Sequence, residues 1–160
     1  MQEIFVEYKT LVVFLHVISA VVWVGGMVSM GYAAHPSFIE IESPAKRLER
    51  ISHALKRLFT IVLPFVIILI ITAIIMIKGY GLSYTKYSTL SHAKEAIWSL
   101  MFINLIVMIK RRNRADKMLN EGNFAGAKSQ LELIGKFMVP LNILLGITAI
   151  FIGSYFSSSF

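Results

Sequence analysis

The chain has 160 residues, 56% of them hydrophobic and only 16% charged, with a mean hydropathy of +0.70; a soluble domain of this size carries about 25% charged residues. An ordinary water-soluble globule is therefore excluded. The absence of cysteine also excludes disulfides, Fe–S clusters, thiolate nucleophiles and Cys-ligated copper or zinc, so any metal must be held by His, Met, Asn or carboxylates.

The charges are crowded into short clusters that leave uncharged runs at 10–39, 58–77, 96–109 and 137–160. A helix needs about 20 apolar residues to cross a hydrocarbon core of roughly 30 Å, and the first, second and fourth runs meet that directly. The third reaches it from Ser91 to Lys110 if Lys94 and Glu95 keep their polar heads at the interface. Four spans follow, at about 9–34, 57–78, 91–111 and 136–156. Glu3 and Glu7 precede the first run and no Ala-x-Ala site follows it, so the first span is expected to be retained rather than cleaved as a signal peptide.

Between the first two spans, Ser43-Pro44 reads as a helix cap and first turn, and Leu48, Ile51, Leu55 and Leu58 then recur at helical spacing; the second helix should start well before its span and end near Gly79. Lys46, Arg50, His53 and Arg57 form a basic stripe on its other face. The third helix should continue past Lys110 to Leu119, stop at Asn120-Glu121-Gly122-Asn123, and give way to a fourth beginning near Phe124. The expected fold is an all-α integral membrane protein, one four-helix up-down transmembrane bundle over residues 1–160. Two helical extensions are predicted at about 44–56 and 111–135, and a longer connection at about 79–90.

Twelve of the 16 basic residues fall between spans one and two or between spans three and four. The positive-inside rule puts those connections in the cytoplasm and both termini on the outer side. The net charge of +7 thus marks topology. No aromatic-basic module accompanies it, so anionic lipid rather than nucleic acid is the expected partner.

Within so apolar a chain, an ionisable residue inside a span is a functional candidate, because burying it costs roughly 2.5 kcal/mol or more unless it is neutral and partnered. His16 is that residue, about 10 Å of helical rise from Lys9. Ala20, Trp23, Met27 and Met30 share its face, with Gly25 and Gly26 beside them. The small residues would leave room for a flat macrocycle, or would serve helix packing alone. His92 opens the third span in the same outer half, and two imidazoles from different helices suit a haem iron. His35 and His53 flank the opposite boundary, as a lesser metal pair or as solvated interface residues. Eight methionines also admit Cu(I), whose soft character suits thioether and imidazole, although Met27 and Met30 equally fit core packing. Asn104 and Asn142 lie within spans and should bridge helices. Pro64 and Pro140 interrupt two helices and remove backbone donors. No Asp or Glu lies deep in a span, which argues against a carrier or channel built on buried carboxylates.

Leu15-His16-Val17-Ile18 with Trp23 and Gly25-Gly26, then Pro64, then His92-Ala93-Lys94, then Pro140-Leu141-Asn142 with Gly146 together resemble the CopD-like group of bacterial four-helix membrane proteins, over nearly the whole chain. That group includes copper-resistance membrane proteins, relatives of b-type cytochromes and membrane protoporphyrinogen IX oxidases. The resemblance implies a multi-pass bacterial inner-membrane protein holding haem b, with His16 as axial ligand and His92 as the best second. On that haem reading, Trp23, Gly25 and Gly26 would shape the pocket and Lys94 would pair with a propionate. A redox or electron-transfer role follows, with a redox partner or quinone, and a homo-oligomer is compatible with it. Protoporphyrinogen IX oxidation and copper handling without haem are the alternatives. The chain departs from the oxidase branch where that branch has a basic-aromatic end to its first helix and an Asn-Glu pair before the fourth-helix proline. It reads Gly31-Tyr32-Ala33-Ala34-His35 and Met138-Val139-Pro140 there.

Overall fold

The computed structural model describes the backbone of residues 2–79 and 88–157, with side chains for 6–79 and 92–155. Every element in it is helical: α1 (Gln2–Val28), a π-helical turn (Ser29–Ala34), α2 (His35–Ile39), α3 (Pro44–Gly79), α4 (Ser88–Asn120), α5 (Phe124–Leu133), a second π turn (Ile134–Met138) and α6 (Val139–Ser157). They run together into four long rods, each with a stretch long and apolar enough to cross a membrane: Val6–Ile39, Pro44–Gly79, His92–Asn120 and Phe124–Tyr155. Most of the connection expected at 79–90 lies outside the described residues.

The local signals act where the sequence puts them. The helix after Ser43 begins at Pro44, whose missing N–H costs nothing in a first turn. The break between α4 and α5 turns on Gly122, at φ +74°, a conformation open to glycine at no steric cost. Asn123 then caps α5 by accepting the Gly126 N–H at 2.9 Å. Because that break and the α2–α3 connection lie together, the bundle has a basic end. The opposite end carries the start of α1, the end of α3, the start of α4 and the end of α6.

Each rod turns a narrow stripe inward. Trp23, Met27 and Met30 from α1 and its π turn meet Leu55, Phe59, Val62 and Val66 from α3, with Met101, Leu105 and Met108 of α4 and Ile134, Val139 and Ile143 of the fourth rod closing the core. The outward faces are equally apolar: Phe14, Val17, Ile67, Ile71, Ile103, Leu144, Ile147 and Phe151 are all exposed. In water, apolar surface on that scale is untenable. Facing acyl chains, it is what a span requires.

With apolar groups on both sides, packing specificity falls to small and polar residues. Gly26 lets Leu58 of α3 approach so closely that a Cβ there would stand 2.9 Å from Leu58 Cδ1, and Gly146 admits Val24 of α1. Asn104 and Asn142 bridge α4 and the fourth rod as expected: the Asn104 amide, oriented to satisfy its network, donates to Met138 O and Asn142 Oδ1, both at 2.8 Å. At the basic end, the buried Arg112 joins α4 to α3. Its Nε donates to Ser52 O at 3.0 Å and its Nη2 to Asp116 Oδ1 at 3.1 Å, while Ser52 Oγ donates to the same carboxylate oxygen at 3.2 Å.

The two π turns stand immediately before prolines. His35 N–H bonds Met30 O and Val139 N–H bonds Ile134 O, five residues back rather than four, and Pro36 and Pro140 follow at once. Widening the turn relieves the clash between a proline ring and the preceding carbonyls. Pro64 sits in unbroken α-helix.

Candidate functional site

At the end of the bundle that holds the start of α1, the sequence of α1 turns a polar face inward. His16, Ser19 and Trp23 recur at three- and four-residue spacing. Ser19 is satisfied locally, donating to Leu15 O at 2.7 Å. His16 reaches across to α3, where its Nδ1 lies 3.0 Å from Thr72 Oγ1. Thr72 is buried and its hydroxyl has a single hydrogen, which lies with Ile68 O at 2.8 Å and Leu69 O at 3.0 Å, the usual habit of a threonine inside a helix. The hydroxyl oxygen therefore accepts, and the proton on His16 belongs to Nδ1. This assignment comes from the hydrogen-bond network. Its chemical consequence is that Nε2 keeps its lone pair, the form in which imidazole binds metal ions, with the partner on the other nitrogen fixing tautomer and ring orientation.

Lys94 enters the same end from α4. It is half-buried. Its Nζ lies 3.1 Å from where a Cβ on Gly153 of α6 would stand. No carboxylate pairs with it among the described residues. One turn-pair deeper, Trp23 is 1% exposed and its Nε1–H has no acceptor among the described residues. A buried donor left unmet costs about 1–3 kcal/mol. Among the described residues, this end thus carries one lone-pair nitrogen and two donors without acceptors.

The other residues singled out by sequence are placed differently. His92 stands at the rim, its side chain 68% exposed and its Nδ1 3.2 Å from Glu95 Oε2; no hydrogen bond joins it to His16 among the described residues. Gly26 faces α3, and nothing lies within 4 Å of a Cβ placed on Gly25, so these glycines serve helix contact and an open outer surface. Thr72, the residue that orients His16, escaped sequence reading. The only trace of it is a threonine at helical spacing in an otherwise aliphatic run, six residues from Lys78 as His16 is seven from Lys9.

At the basic end, His35 and His53 have different surroundings. His53 is exposed, whereas His35 borders a cavity of about 40 Å³ between the two π turns, with Met30, Gly31, Leu131 and Gly135 among its walls. The His35 Nε2 lies 3.6 Å from a Cβ position on Gly135. Met27, Met30, Met101, Met108 and Met138 are all buried and fill the core between aliphatic neighbours, as flexible thioethers do. Among the described residues, no three His, Asp or Glu side chains converge on one point.

No family model matches the chain, and neither a curated protein nor a solved structure is similar to it.

Proposed function

We propose that the chain is a multi-pass protein of the bacterial inner membrane, with its termini outside, that holds a b-type haem in the outer half of its bundle and serves in electron transfer. The observation that carries this reading is the pairing of His16 with Thr72, whose hydrogen-bond network assigns the ring proton to Nδ1 and the lone pair to Nε2. A nitrogen so prepared fits a haem iron. Lys94, a half-buried cation with no carboxylate partner among the described residues, fits a propionate by a charge-assisted hydrogen bond. When bound, the haem would supply one-electron chemistry at a potential set by its ligands and burial.

The chain's own contribution is positioning. Thr72 holds the His16 ring from α3, so that the ligand's orientation is fixed by contact between two helices rather than by one side-chain torsion. Of the two histidines at this end, His16 is the prepared one. His92 would serve as second ligand on exchanging Glu95 for iron. The outward apolar faces keep bulk water from the site, and a quinone dissolved in the bilayer could reach the bundle laterally. Haem-supplied expression followed by a reduced-minus-oxidised absorption spectrum of the purified protein tests the proposal. Sharp α and β bands support it, and a featureless spectrum rejects it. Metal analysis of the same sample separates haem from copper held by methionine and histidine.

A further inference from the structure

A groove of about 490 Å³ runs along the outside of the basic end between α4 and the fourth rod, lined by Arg111, Lys128, Ser129, Glu132, Lys136 and Phe137 among others. Three cations face one carboxylate. Their arrangement is not that of a solvated charge run. Arg111 comes from α4 and is held in place by Gln130 of α5, its Nη1 donating to Oε1 at 3.0 Å. Lys136 is steadied by Glu132 at 3.6 Å, whereas Lys128 is exposed and forms no ion pair among the described residues.

The groove's position along the chain matters as much as its charge. Lys136 is the last charged residue before the uncharged run 137–160, so these cations stand at the level where a span enters the bilayer. Immediately beyond them Phe137 is 66% exposed, an aromatic ring on the apolar side of a cationic layer, which is the order of groups met on passing from phosphate to acyl chain. We propose that this groove is a binding site for the headgroup of an anionic phospholipid, with Arg111, Lys128 and Lys136 around the phosphate and Phe137 against the first acyl carbons. The proposal requires that the chain be embedded in a bilayer, and it is independent of haem. Each lysine near an anionic membrane surface contributes about 1 kcal/mol, a roughly fivefold effect on binding.

The full-length protein in neutral detergent, titrated with phosphatidylglycerol and followed by native mass spectrometry, provides the test. The expected result is retention of phosphatidylglycerol over phosphatidylcholine, with apparent affinity falling about fivefold in Lys128→Gln and again in Lys128→Gln/Lys136→Gln. Both side chains are exposed, so these variants should fold, which their helical circular dichroism would verify. Lys46→Gln/Arg50→Gln removes the same charge from the exposed stripe of α3 and should change retention less than twofold. Glycerol phosphate, which lacks acyl chains, should not displace the lipid at millimolar concentration. Equal losses in the two double variants would mean a diffuse surface charge and overturn the proposal. So would equal retention of phosphatidylcholine, or displacement by glycerol phosphate.

Discussion

Gly146 offers a direct measure of how closely α1 and α6 are packed. A Cβ at this position would stand 2.5 Å from Val24 Cγ2 and 3.3 Å from both Val24 Cγ1 and Met101 Cε. The valine cannot turn aside, because a β-branched side chain in a helix has essentially one rotamer, so relief must come from moving the helix backbones apart. Overpacking of this kind costs about 1–3 kcal/mol. Alanine itself recovers up to about 1 kcal/mol as the better helix former, and Gly25→Ala isolates that gain, since nothing lies within 4 Å of its Cβ position. The two variants should therefore differ by about 1–3 kcal/mol. At about 2–4 °C per kcal/mol for a chain of this size, Gly146→Ala should melt roughly 2–12 °C below Gly25→Ala. Thermal unfolding by circular dichroism in one detergent reads the difference. Equal melting temperatures, or Gly25→Ala the lower, would refute the close approach of Val24 to α6.

Three further sets of substitutions probe the polar contacts. Arg112→Ala removes a buried guanidinium that holds Ser52 O and Asp116; because Asp116 is 39% exposed and can be hydrated, the expected cost is about 1–3 kcal/mol rather than the full penalty of a stranded buried charge. Arg112→Lys should not restore stability in a denaturant titration, since a point charge cannot reach both partners in a fixed fork, and full recovery would contradict this role. For the bridge between α4 and α6, a double-mutant cycle on Asn104→Leu and Asn142→Leu should return a coupling of about 0.6–1.7 kcal/mol; strict additivity would deny the bond between them. Thr72→Val takes away the acceptor of His16 Nδ1–H and should weaken haem retention about 10- to 100-fold in a haem-transfer assay, with Thr72→Ser recovering most of it. An unchanged off-rate in Thr72→Val would remove Thr72 as the orienting residue.

What the sequence makes legible follows from how strong each local signal is. Charge-free runs, the third extended back to Ser91, located the four rods long and apolar enough to cross a membrane, because leaving an unpaired charge in hydrocarbon is costly wherever it sits. Ser43-Pro44 and Asn120 to Asn123 marked helix ends through chemistry that is local and needs no partner. The π turns were missed, although a trace of them is present: Gly31 precedes Pro36 by five residues and Gly135 precedes Pro140 by five, whereas the residue five before Pro64, in unbroken α-helix, is Phe59. The site shows the other limit. His16 was legible as the one imidazole deep in a predicted span, but its partner is chosen by the packing of α1 on α3, which no residue spacing in α1 encodes. Gly25 and Gly26 follow His16 by nine and ten residues, and the 100° step of the helix turns them to other faces. His92 matched His16 in span half but not in burial, because its position at the start of a helix left Glu95 one turn away as a nearer partner.

The haem content of the purified protein with and without His16 bears most directly on the proposed function. The wild-type chain, expressed with haem supplied and assayed as the pyridine haemochrome, should hold about one haem b per chain, and His16→Ala should hold almost none while keeping its helical circular dichroism. Haem retained at wild-type stoichiometry in His16→Ala, or absent from the wild type, would contradict it.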